Sequence, residues 1–269
     1  MGRGGRRSGI VGVVIVIGAM ALAISGASSG ATSASSCPPP LSSGYGSVVV
    51  GEPGVGGYWR LGEASGSSAC DAVGSGAGTF AGTVALGGAG ALAGDPNTAV
   101  RFSAGGSVEV PSQAVLNLNG AFTVEAWVKP ETLPASGYPG FLRKGSSAVT
   151  SAAGGWLVWY ARDTLVMRFK RQGLERSVPG WKLTAGVWSH VALTYDGTTT
   201  NTLRFYVNGA LVGTASGPSG GYVALTSSDP FQIGKGDGAT SDHSVDEVAL
   251  YATALSATAV QAHYQVGKG

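Results

Sequence analysis

Charge is scarce in this chain: Asp, Glu, Lys and Arg make up only 12% of 269 residues. So low a fraction disfavours a mainly helical chain and leans toward short strands and turns. Three histidines and two cysteines are present, with no metal-binding His pair. No nucleophile elbow and no P-loop occur, which removes the commonest signatures of hydrolase and nucleotide chemistry. No repeat of 20–50 residues is visible, which excludes a solenoid or a propeller.

Glycine and proline, by contrast, are abundant, at 46 and 12 residues. Apolar residues reach 43%, enough for a packed core. Arg3, Arg6 and Arg7 precede an uncharged apolar run from Ile10 to Ile24. Ser25, Gly26 and Ala27 then supply a small-residue cleavage site, so residues 1–27 read as an export signal. The charge-free stretch from Ser8 to Gly30 is also long enough for an uncleaved membrane anchor. Removing residues 1–27 takes away three arginines and no acid. The 17 basic and 15 acidic residues become 14 and 15, net −1, so the basic balance gives no case for nucleic acid.

Residues 28–44, rich in Ser and ending near Pro38, Pro39 and Pro40, read as a linker. The folded domain is expected over 45–269, in a secreted or cell-surface protein. Membrane contact is expected only if the N-terminal segment stays uncleaved. Cys37 and Cys70 form an even count in an exported chain, which points to a disulfide. It would close a loop of about 33 residues and contribute roughly 3–4 kcal/mol. Two free thiols, or a lipid on Cys37 behind a poor lipobox, are the alternatives.

From Phe122 to Lys129 the residues alternate. Phe122, Val124, Ala126 and Val128 share one face, and Thr123, Glu125, Trp127 and Lys129 the other, as in a half-buried strand. Leu203, Phe205 and Val207 alternate likewise with Arg204, Tyr206 and Asn208. Val187 to Tyr195 is rich in β-branched and aromatic residues. Asp196-Gly197 and Asn208-Gly209 are hairpin-turn signals. Helix is expected only from Ser256 to Gln265. There Ser256 can cap, and Val260 and Tyr264 share a face, but Ala259 stands where Glu would complete a capping box. The pattern predicts an all-β, two-sheet antiparallel β-sandwich of the jelly-roll kind with one short C-terminal helix.

Four blocks in order, spanning about residues 45–269, resemble the laminin-G-like jelly-roll modules of large secreted bacterial proteins, in the concanavalin A-like lectin/glucanase superfamily. They are Tyr58 to Glu63 with Cys70-Asp71; Asp95 to Val110 followed by Phe122 to Pro130; Trp188 to Gly197 followed by Phe205 to Gly209; and Val245 to Tyr251 with Ala254 to Ser256. The resemblance implies a concanavalin-like jelly roll, a fold that hosts lectins, adhesins, spacers and some hydrolases. Glucanases of this type carry Glu-x-Asp-x-x-Glu on one strand, a spacing absent here. Glu125 stands alone on its strand, and Asp246 and Glu247, as strand neighbours, are expected on opposite faces. No catalytic residue is therefore assigned, and the chain is expected not to be an enzyme. The resemblance further implies Ca²⁺ held by Asp71 and Asp246, with backbone carbonyls and water completing the shell; the alternative is that Asp71 caps a turn and Asp246 makes an ordinary solvent-facing hydrogen bond.

For ligand binding, the aromatic group Trp156, Trp159, Tyr160, Trp181 and Tyr138 could stack on a sugar face. Trp156, Val158 and Tyr160 share one strand face and Leu157 and Trp159 the other, so one set must be core. Packing alone is the competing reading. Arg168 belongs to a basic cluster with Arg162, Lys170, Arg171, Arg176 and Lys182 that either reads an acidic glycan or solvates an outer sheet face. His190 reads as a buried, hydrogen-bonded histidine rather than a ligand or base. The expected function is a non-enzymatic binding or adhesion module for an extracellular glycan or a cell-surface protein. A structural spacer is the alternative, and a hydrolase with a non-standard site lies behind it.

Overall fold

The computed structural model describes residues 1, 2, 4, 5 and 44–269, apart from 3, 75, 119, 134–138, 146–154, 162–163, 170–173, 179–182, 198, 221–227 and 237–241. The chain divides into two units, Met1–Ala34 and Ser35–Gly269. Most of residues 1–27, read as an export signal, and most of the expected linker lie outside the described residues. No described helix is long and apolar enough to cross a membrane.

The second unit starts with helix α1 (Tyr45–Gly51) and the strands β1 (Val55–Trp59) and β2 (Ser68–Ala69). Two long strands follow, β3 (Gly78–Ala89) and β4 (Thr98–Val110), then a 3₁₀ turn (Ala114–Asn117) and β5 (Ala121–Pro130). The middle of the chain forms β6 (Gly140–Gly145), β7 (Gly155–Ala161), β8 (Thr164–Phe169) and β9 (Leu174–Val178). The rest is β10 (Ser189–Asp196), β11 (Thr202–Val207), β12 (Ala210–Ser216), β13 (Phe231–Ile233), β14 (His243–Tyr251) and helix α2 (Ala257–Lys268).

All pairings are antiparallel, and they build the two layers of a β-sandwich. One layer runs β12-β11-β10-β5-β14, with β1 also on β14; the other runs β9-β8-β7-β6-β13. β4 belongs to both: Val100–Phe102 pair with β14, and Val108–Val110 pair with β13. The turn between the halves is made at Ala104 (φ 45°) and Gly105 (φ 83°), where glycine tolerates the left-handed backbone. β3 follows β4 along its length.

The alternation predicted for β5 holds. Phe122, Val124, Ala126 and Val128 sit in the core between the sheets with Val191, Leu193, Leu250, Val158 and Ile233. Asn208-Gly209 is a two-residue hairpin, Val207 opposite Ala210, and both turn residues have positive φ, 49° and 74°. That is the turn whose twist suits paired strands. Asp196-Gly197 instead opens a longer loop that ends at Asn201. Ser256 caps α2, its side chain accepting from the Ala259 amide at 3.1 Å.

Helix α1 was not expected from the sequence. It packs with α2 over the outer face of the first sheet and closes a second core. There Tyr45, Val49, Leu255 and Val260 meet Trp127, Ala192, Tyr206 and Tyr251. The outer residues Thr123, Glu125 and Trp127 of β5 are consequently as buried as its inner ones, and Lys129 at the strand end is left partly exposed.

Candidate functional site

Under the two helices lies a buried carboxylate. Glu125 accepts hydrogen bonds from the hydroxyls of Tyr45 (2.6 Å) and Tyr251 (3.1 Å). His190 Nε2 lies 2.8 Å from it, and His263 Nδ1 lies 3.0 Å from both its oxygens. Burial would raise the Glu125 pKa, but the His263 charge and the hydrogen bonds from both histidines hold it well below the carboxylate range. His190 is fully buried in this set, the packed role read for it from the sequence.

A second buried cluster overturns the expectation that Asp246 and Glu247 point apart. The β14–β5 register slips between Asp246 and Ala249, and Glu247 takes φ 51°. A bulge of this kind breaks strict alternation. Both carboxylates then reach one amide: Asn97 Nδ2 lies 3.3 Å from Asp246 Oδ1 and 3.1 Å from Glu247 Oε1. Glu247 also accepts from Arg60 Nε at 3.0 Å and from the Tyr58 hydroxyl. Arg60 reaches Asp95 at 2.9 Å on its other side. Burial pushes the Glu247 pKa up to about 7 against the pull of Arg60. Burial and the neighbouring Glu247 raise that of Asp246. Both acids are fully buried and supplied with donors, so no substrate reaches them as they stand.

The residues expected to hold Ca²⁺ do not fit a shared ion. Asp71 Oδ1 accepts the amides of Tyr58 (2.9 Å) and Val73 (3.1 Å), and Oδ2 accepts that of Gly76 (3.3 Å). Asp246 Oδ2 accepts the Ala91 amide at 2.8 Å. The two hydrogen-bond sets have no member in common, and N–H donors occupy lone pairs that a cation needs. Among the described residues no group of three acids, histidines or cysteines could hold a metal. Melting curves in millimolar Ca²⁺ and in chelator are expected to coincide; a rise of several degrees with Ca²⁺ would restore the expected site.

The expected aromatic platform is corrected as well. Trp156 and Tyr160 point into the main core, Trp156 at 5.6 Å from the Phe231 ring. Trp159 is on the other face, packed with Leu157 and Val166 and only 4% exposed. None of the three presents a ring to a ligand, because both faces of β7 are covered. Arg168 stands on the same outer face, opposite Leu157. In line with it a polar ladder crosses the sheet, Arg143 to Gln232 to Glu109, with Ser107 donating to Glu109 at 3.0 Å. Trp181, Tyr138, Arg162, Lys170, Arg171 and Lys182 lie outside the described residues. Arg176 is engaged, its Nε donating to the Ser216 carbonyl at 2.6 Å. No described cysteine is free, and Cys37 lies outside the described residues.

An open site occurs where the helices stop covering the first sheet. A cleft of about 280 Å³ is lined by Ala85–Ala89 of β3, Arg101 of β4, Lys129 and Glu131 at the end of β5, and Ser244 of β14. The register puts Ala85, Arg101, Ser244 and Lys129 in one cross-strand row. Arg101 grips Asp242 with two bonds, of 2.7 and 2.8 Å. Lys129 lies 3.1 Å from Glu131, which also accepts from the Ser244 hydroxyl at 2.6 Å. Trp188 lies beneath the Lys129 ammonium, 5.4 Å from ring centre to nitrogen. The hydrogen bond from Arg101 holds Asp242 below its ordinary pKa, and bonds from Ser244 and Lys129 do so for Glu131 against its partial burial. Another concavity, about 360 Å³ beside Gly44, Leu92 and Val266, is mainly apolar, and its Asp95 is already held by Arg60. Sequence reading missed the open cleft because its groups come from four strands, and each alone reads as an ordinary surface charge.

Comparison with known proteins agrees with this architecture. No curated protein matches in sequence. Domain 4 of AbnA, a GH43 extracellular arabinanase from Geobacillus stearothermophilus solved with arabinotriose, superposes with a TM-score of 0.59 at 18% identity, over 80% of this chain and 100% of that one. The binding domain of Paraclostridial Mosquitocidal Protein 1 gives 0.58 at 14%, over 78% and 52%. The Trypanosoma rangeli sialidase with sialic acid gives 0.57 at 20%, over 80% and 34%. The chain thus spans the whole of the arabinanase domain, about half of the toxin domain and a third of the sialidase. At these identities the likeness establishes the fold alone. A laminin G-type family model matches residues 102–261, from the middle of β4 into α2, and by that match the chain belongs to the concanavalin A-like lectin/glucanases superfamily.

Proposed function

We propose that the protein is an exported, non-catalytic glycan-binding module and that its ligand occupies the cleft at the open end of the first sheet. The observation that carries this reading is the cleft itself, where Arg101, held by Asp242, stands with Lys129, Glu131 and Ser244 and sets hydrogen-bond donors beside acceptors at an open surface. Sugars are bound by such convergent polar groups. The arabinanase domain was solved with arabinotriose and the sialidase with sialic acid, which supports a sugar as the partner here. The one pair of adjacent acids, Asp246 and Glu247, is fully buried, which supports binding without hydrolysis. A Cys37–Cys70 disulfide belongs to the same reading, since export would oxidise it.

A glycan array probed with the full chain tests the proposal. Saturable binding to at least one glycan is expected, with no release of shorter sugars from it. Binding only to a protein ligand would favour an adhesion or spacer role, and product release would make the chain a hydrolase.

A further inference from the structure

We infer that the cleft selects uncharged sugars bearing neighbouring hydroxyls and discriminates against acidic ones, an inference that rests on the glycan-binding reading above. Among the described residues, the charged groups lining it are Arg101, Lys129 and Glu131, and each cation is already paired within the protein, Arg101 with Asp242 and Lys129 with Glu131. An acidic sugar would have to displace Asp242 from a bidentate guanidinium, or Glu131 from Lys129, and would leave the displaced carboxylate repelling it. A hydroxyl needs no such exchange. It donates to a carboxylate, which accepts at several lone pairs, while it accepts from the adjacent guanidinium or ammonium. Two neighbouring hydroxyls therefore match an Arg–Asp or Lys–Glu pair left intact.

The opposite wall suits a ring laid close to it. Along β3 the register advances from Ala85 opposite Arg101 to Gly88 opposite Ala99. Leu86 and Gly87 thus face the single residue Val100. The extra residue of a bulge is left out of the ladder, which frees main-chain groups for a ligand. Gly87 takes φ 73° with open space where a Cβ would stand. The apolar body of the wall comes from Ala85, Leu86 and Ala89 of β3, which line the cleft with Gly87 and Gly88.

The test is titration calorimetry of the full chain against two panels. One holds neutral pentose and hexose oligosaccharides, with arabinotriose among them; the other holds sialylated and uronic-acid oligosaccharides. The expected result is binding to a neutral sugar that changes less than about twofold between low and high salt, because no net charge is neutralised. Glu131→Gln and Arg101→Gln should each weaken it about tenfold, as for loss of one charge-assisted hydrogen bond, with the melting temperature kept as a check on folding. Binding confined to the acidic panel, falling steeply with salt, would overturn this inference and leave the glycan-binding reading standing. Neutral-sugar binding indifferent to both variants would do the same by placing the site elsewhere. No binding to either panel would overturn both.

Discussion

Replacing Glu125 with Ala is expected to lower the free energy of unfolding by about 3–5 kcal/mol, since breaking a buried charged set strands its remaining partners. Urea denaturation at pH 6 measures it. Glu125 is contacted from α1 by Tyr45, from β10 by His190, from β14 by Tyr251 and from α2 by His263. One carboxylate thus holds both helices to the sheet, and Tyr45→Phe or Tyr251→Phe should each cost only about 1 kcal/mol. The pH dependence follows from the two shifts. Glu125 is lowered from 4.5, so its contribution is present above pH 4.5 and fades as pH falls through the folded pKa. Burial would lower His263, but Glu125 and then Glu52 raise it above 6.5. Its contribution is full below pH 6.5 and lost as pH rises through the folded pKa. The set is therefore strongest between about pH 4.5 and 6.5, and α2 amides should exchange hydrogen from less stable states at pH 8.5 than at pH 6. Equal protection at both values, or a loss under 1 kcal/mol for Glu125→Ala, would show the set to be incidental.

The second large effect is at Arg60. Arg60→Met should cost about 3 kcal/mol at pH 8, where losing the cation drives the buried Glu247 to take up a proton. At pH 5 the loss should be smaller by about 1 kcal/mol, because Glu247, with its pKa near 7, is then mostly protonated in the wild type as well. The wild type carries the matching slope. A folded pKa raised from 4.5 to about 7 gives stability that is full below pH 4.5 and is lost as pH rises through 7, on the order of 3 kcal/mol. His243 opposes it. Burial lowers its pKa to about 4, so its contribution is full above pH 6.5 and is lost as pH falls through 4. Asp246, raised as well, adds to the Glu247 slope, so Glu247→Gln should lose less stability with rising pH than the wild type does. A pH-independent cost of Arg60→Met would disprove the assignment.

Much of the fold was legible in the sequence because period-two patterns report directly on a sheet facing a core, as for Phe122 to Val128 and for the split of Trp156 and Tyr160 from Trp159. The same patterns are silent about what covers the other face. Glu125 and Trp127 looked like solvent-facing residues of a half-buried strand, and only α1 and α2 make them interior. Helix α1 was hidden by its composition: Val48, Val49 and Val50 between glycines favour strand, and packing against the sheet overrides that preference. The meeting of Asp246 and Glu247 was hidden by a bulge, which carries no residue-type signature there. The open cleft was hidden because Arg101, Lys129, Glu131 and Ser244 are brought together by register alone.

The sharing of β4 between the sheets bears on how the molecule comes apart. A sandwich whose layers met only through side chains could lose one layer while keeping the other. Here the main chain of Thr98–Val110 is hydrogen-bonded into both, so melting either layer strips a ladder from the other. Heating should then give a single calorimetric transition for residues 45–269, with equal calorimetric and van't Hoff enthalpies. β4 should be among the last segments to exchange its amides, since its protection would require opening of the whole domain.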